Sequence, residues 1–130
     1  MFKSGADLLD YCKANNLTIS EAVLKRDAQN EEERKILIER SEKMLDIMIN
    51  SATKGIKEEV HSLSGMIGGN AKKLYDYAKK GDTLSGDDLV KAMAMALSVS
   101  EVNAAMGKIV AAPTAGAAGI MPAILKSAHE

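Results

Sequence analysis

Residues 89–106, LVKAMAMALSVSEVNAAM, decide the fold of this chain. The run is too long for a strand, and only Lys91 and Glu101 in it are charged. It is apolar or small on nearly every face, the pattern of a helix buried on all sides. Met93, Met95 and Met106 then read as flexible core filler, not as a cofactor-lining stripe. Ser85 and Asp88 have the spacing of a capping box that would open this helix. No β-type alternation of any length occurs elsewhere. The expectation is an all-α fold of seven or fewer helices: a helical domain with one long amphipathic helix, this buried Ala/Met-rich helix and two glycine-rich loops.

Upstream, Ser4 with Asp7 and Thr18 with Glu21 are capping boxes for two short helices, the first ending near Asn15 and Asn16. Leu9 and Cys12, one turn apart, turn Cys12 towards the core as a structural thiol. Asn30 caps a further helix whose first turn, Glu31-Glu32-Glu33, suits the positive end of the helix dipole. Leu45, Ile49, Ala52, Ile56, Val60 and Leu63 recur at helical intervals, so this long helix carries one apolar stripe. Gly55 weakens it without ending it. The glycines of SGMIGGN (64–70) break it and form the first side-chain-poor loop. Asn70 is the expected N-cap of a helix over 71–80, with Gly81 at its C-terminal stop. His61, just before the loop, is a candidate general base, set against an ordinary capping or surface role.

Downstream, NAAMGKIVAAPTAGAAGIMP (103–122) holds the second loop. Pro122 lacks an N–H and clashes with the carbonyl of a residue four back. The expectation is therefore a loop over Thr114–Gly119 and a last helix starting near Gly119 or Ile120, with Pro122 in its first turn. Backbone N–H groups at such a helix start can face an anion. The alternative is a tight helix connection that uses small residues for clearance.

With 130 residues and 46% hydrophobic content, the chain reads as one helical domain, residues 1–130. A net charge of −1 gives no footprint for nucleic acid or an anionic membrane surface. No apolar run spans a membrane, and residues 1–10 lack a signal-peptide core, so the expected location is cytoplasmic. Charge is uneven: residues 21–60 carry 18 charged side chains, residues 84–130 only seven. The bare final third is either core or a surface that faces other protein.

The blocks SGMIGGNAKKL and NAAMGKIVAAPTAGAAGIMPAIL, with the opening ADLLDYCKANNLTISEAVL, resemble the N-terminal part of the alpha subunit of bacterial iron–sulfur-dependent L-serine dehydratase (L-serine deaminase). The resemblance covers the whole chain. It implies a lyase of amino-acid degradation that converts L-serine to pyruvate and ammonia without pyridoxal phosphate. It also implies a [4Fe–4S] cluster acting as Lewis acid, and a beta subunit or domain with a Ser-Ser-His-Thr type motif. By the same resemblance Ser64, Gly65, Gly68 and Gly69 form one wall of the substrate site. Thr114, Ala115, Gly116 and Gly119 form the other, with Lys108 adding charge.

The chain departs from that family in its cysteines. Cys12 stands alone, so cluster ligands are absent and no metal site is expected within this chain. The expectation is a fragment, inactive alone, lacking the C-terminal part of the alpha chain and the beta part, and free to form a homo-oligomer. Two alternatives stand beside it: a non-catalytic helical interaction or assembly module, and a related cysteine desulfidase-type lyase.

Overall fold

The computed structural model describes residues 2–129. Six helices occupy it: α1 (Gly5–Asn15), α2 (Ile19–Asp27), α3 (Glu31–Lys57), α4 (Asn70–Ala78), α5 (Asp87–Ala104) and α6 (Ala115–His129). No strand occurs among the described residues, only an isolated antiparallel bridge between His61 and Gly68. The all-α expectation holds. The chain divides into two compact units, Met1–Lys43 and Met44–Glu130.

In the first unit local chemistry sets the helix starts. Ser4 caps α1 by accepting the Asp7 N–H, and Thr18 and Glu21 form a reciprocal capping box on α2. Asn30 Oδ1 accepts the Glu33 N–H at 2.9 Å and so caps α3. Cys12 is buried and its thiol points at the Thr18 carbonyl, 3.8 Å away. Leu9, by contrast, is exposed.

The second unit is a layer of three helices. Central α5 packs against α4 on one side and α6 on the other, and the end of α3 crosses α5. At that crossing Gly55 donates its N–H to Ser98 Oγ (2.7 Å), which itself donates to the Ser51 carbonyl (2.6 Å). The core joins Ala52 and Ile56 of α3 to Ala71, Ala94, Met95, Val99 and Ala123.

Five expectations change here. α3 stops at Lys57, before the stripe ends: Ala52, Ile56 and Val60 are buried, Ile49 is half-buried, and Leu63 is exposed on the loop. Asn70 does not cap α4. Gly69 holds the cap position in the left-handed region, without a side-chain bond of its own. The Ser85–Asp88 box does not form, because Gly86 precedes α5 and makes no side-chain cap. Asp87 instead accepts the Thr83 N–H and hydroxyl and ties the α4–α5 turn. α5 is not buried all round: Leu89, Met93 and Leu97 line an exposed stripe, and Met106 beyond its end is exposed too. Last, residues 115–119 are not a loop. Thr114 Oγ1 accepts the Ala117 N–H at 3.1 Å, α6 begins at Ala115, and Pro122 lies inside it. An interior proline costs about 3 kcal/mol. Continuing the helix brings Ala118, Gly119, Pro122 and Ala123 into burial on one face, which offsets that cost.

Two expected results follow. Ala52→Asp buries an unpaired carboxylate and should lower stability by about 3–5 kcal/mol, whereas Leu63→Asp should leave the thermal melt unchanged. Coincident melts for Ala52→Asp and the parent would remove this residue from the core. Acid should also loosen the α4–α5 turn. The Thr83 N–H bonded to Asp87 holds that carboxyl below the usual carboxylate range. A depressed folded pKa contributes stability at neutral pH that is lost as pH falls through the folded value, so the loss begins below about pH 4. Exchange of the Thr83 amide measured against pH checks this, and Asp87→Asn should flatten the profile.

Candidate functional site

The segment Ser100–Asn103 of α5 touches both glycine-rich blocks. On one side Glu101 Oε1 accepts the N–H groups of Asn70 (2.7 Å) and Ala71 (3.1 Å), the first residues of α4. On the other, Ser100 and Asn103 line a cavity of about 160 Å³ with Val99, Ile109, Ala115 and Gly116. Both blocks thus touch the same last turn of α5, one from the α4 side and one from the α6 side, although some 45 residues separate them in sequence; no residue of the first block lines the cavity.

The cavity has the makings of an anion site. It opens at the N-terminus of α6, where the N–H groups of Ala115 and Gly116 have no partner among the described residues. A Cβ on Gly116 would meet nothing nearer than Thr114 Oγ1, at 4.0 Å, so the space above it is open. Ser100 and Asn103 supply polar side chains one turn apart. Neither stood out in the sequence, because a serine and an asparagine on a helix lack any motif of their own. Lys108 lies exposed in the stretch between α5 and α6. Gly119 faces the other way: a Cβ there would sit 2.8 Å from the Ala96 carbonyl oxygen, so its role is close packing of α6 on α5.

The first block folds on itself. Ser62 donates its N–H to the Ile67 carbonyl (2.7 Å), Gly65 to that of Ser62, and Gly69 to that of Val60. Ser64 Oγ lies 3.2 Å from Ser62 Oγ and accepts the Met66 N–H. Gly68 cannot carry a side chain: its φ is +149° and a Cβ would lie 2.3 Å from the Val60 carbonyl oxygen. His61 Nε2 lies 3.2 Å from Glu59 Oε2, and both side chains are about half exposed. The exposed tip carries Leu63, Met66 and Ile67.

The anion at the start of α4 is therefore internal. Glu101 is 2% exposed, and its Oε2 is buried without a hydrogen-bond partner among the described residues. This residue, too, escaped the sequence reading, since its role depends on a contact 30 positions away.

A four-iron cluster does not fit the residues present. Thiolates are its natural ligands, and the chain has one cysteine, buried against Thr18. Among the described residues no group of three or more His, Cys, Asp or Glu could hold a metal ion. In the first unit a larger cavity of about 430 Å³ contains none of the expected site residues. Of its charged groups, Glu21 bonds Thr18 and Arg34 pairs with Glu31. No helix among the described residues is long and apolar enough to cross a membrane.

Comparison with known proteins gives one consistent result. The family model for the serine dehydratase alpha chain matches residues 14–130. The L-serine dehydratase alpha chain of Peptoniphilus asaccharolyticus is 45% identical over all of this chain and 45% of its own length. A probable L-serine dehydratase alpha chain of Bacillus subtilis is 34% identical, with 100% and 43% covered. The L-serine dehydratase of Mycobacterium bovis is 33% identical, with 95% and 27% covered. The chain thus spans less than half the length of these relatives. No solved structure matches it.

Proposed function

The chain belongs to the serine dehydratase alpha-chain family, and on that premise we propose that it forms part of an L-serine ammonia-lyase, yielding pyruvate and ammonia. The observation that carries this reading is the convergence of both glycine-rich blocks on Ser100–Asn103. The substrate carboxylate is assigned to the unpartnered N–H groups of Ala115 and Gly116, with Asn103 and Ser100 at its flanks and Lys108 adding charge. Thr114 shapes this wall by capping α6. The loop of Ser64, Gly65, Gly68 and Gly69 is assigned a second wall, bordering the same end of α5, and none of its residues lines the cavity itself. His61, oriented by Glu59, is the candidate for α-proton removal. Hydroxide is a poor leaving group, and activating it falls to parts of the enzyme outside this chain, as do the ligands of an iron–sulfur cluster. The exposed stripe Leu89–Met93–Leu97 and the exposed Ile120 and Ile124 of α6 are the surface assigned to those parts. The enzyme is placed in the cytoplasm.

Binding to this chain alone should be weak. Two charge-assisted hydrogen bonds at about 1.5–3 kcal/mol each, less the cost of immobilising a small ligand in a half-open site, leave it near the ~4 kcal/mol of millimolar affinity. L-serine at tens of millimolar should shift the amide resonances of Ala115 and Gly116 and leave those of Asn70 and Ala71 unmoved. Shifts confined to the α4 start would overturn the assignment. The chain alone should produce no pyruvate, and addition of the remaining alpha and beta segments should produce it. Pyruvate from the chain alone would refute the partial-enzyme reading.

A further inference from the structure

We propose that Glu101 is a positioning residue of the elimination: its Oε1 pins the start of α4, and through it the 61–69 loop, to the turn of α5 that borders the α6 cavity. This rests on the lyase reading for its catalytic consequence but not for its structural one. Three observations converge on it. Glu101 is buried in the second unit, yet only one of its two carboxylate oxygens is satisfied. That oxygen takes the N–H groups of both Asn70 and Ala71, immediately after the loop. And Glu101 sits between Ser100 and Asn103, which line the cavity on the neighbouring face of α5.

A buried carboxylate with an orphan oxygen is a poor device for stability. Burying a charge carries a large desolvation cost, and an apolar side chain of like size is often as good for the fold or better. What an apolar side chain cannot do is hold two backbone N–H groups in one place. Gly69 offers no side chain to cap α4, so that helix start has no local alternative. The group that fixes it comes instead from the helix bearing the other half of the site. Loop and cavity are thereby held in one register, as a reaction needing two activated ends of one small molecule demands.

The test compares Glu101→Met, which cannot accept a hydrogen bond, with Glu101→Gln, which keeps a carbonyl acceptor at the same reach. In Glu101→Met, amide exchange at residues 69–71 should accelerate at least tenfold, while the α5 core amides of Ala94–Val99 keep their protection. Glu101→Gln should stay within about threefold of the parent. In the pyruvate-forming assembly Glu101→Met should lower kcat at least tenfold with KM changed less than threefold, and Glu101→Gln should recover most of that loss. Unchanged exchange in Glu101→Met, or equal damage from Gln and Met, would overturn the proposal. Should the Met variant fail to fold, Glu101→Asp, which keeps the charge but shortens the reach, is expected to accelerate the same amides and is read by the same criteria. A parent assembly that makes no pyruvate would refute the lyase reading and leave the exchange result to stand or fall by itself.

Discussion

Gly119→Leu should lower the melting temperature of this chain by roughly 10 °C. A Cβ at that position would lie 2.8 Å from the Ala96 carbonyl oxygen, a backbone atom that no rotamer change can move aside. Gly119 is buried at the α5–α6 contact, so the two helices must part to admit any side chain. Overpacking of this kind costs about 3 kcal/mol at the upper end of its usual range, and for a chain of this size each kcal/mol is worth about 3–5 °C. Thermal unfolding followed by circular dichroism measures it. A melt within about 2 °C of the parent would mean that α6 does not lie against α5 as described.

Gly116→Leu, three residues earlier, should do the opposite. A Cβ there would meet only Thr114 Oγ1, at an unstrained 4.0 Å, and leucine favours a helix over glycine by up to about 1 kcal/mol. The melt should hold or rise slightly. The side chain would instead fill the cavity beside Asn103 and Ser100, a space of about 160 Å³, and cover the N–H groups assigned to the carboxylate. In the assembled enzyme turnover should fall at least a hundredfold, about 2.7 kcal/mol of transition-state stabilisation. A Gly116→Leu enzyme with parental kcat/KM would move the substrate away from the start of α6. The two substitutions together separate a glycine needed for packing from one needed for access.

These two glycines also mark where sequence reading stops. Capping chemistry is local, so Ser4, Thr18 and Asn30 announced their helices within four residues, and the structure agrees. The long charged helix and its buried Ala52 and Ile56 followed from periodicity alone. The two glycine-rich blocks were legible as blocks, and they carried the family resemblance. The start of α6 was not legible. Pro122 argued locally for a late start, and the burial of Ala118, Gly119, Pro122 and Ala123 overrode it from outside the segment. Nor was the exposure of Leu89, Met93 and Leu97, because an apolar helix face looks the same whether its own chain or another protein covers it. The capping of α4 by Glu101 spans 30 positions and leaves no local mark on either partner. Local hydrogen bonds and hydrophobic period are written in neighbouring residues, so sequence alone settled the starts of α1, α2 and α3, and the family. Which glycine packs and which stays open, and which carboxylate holds the loop, depend on surfaces that meet only after the chain has folded, and only the tertiary structure decided them.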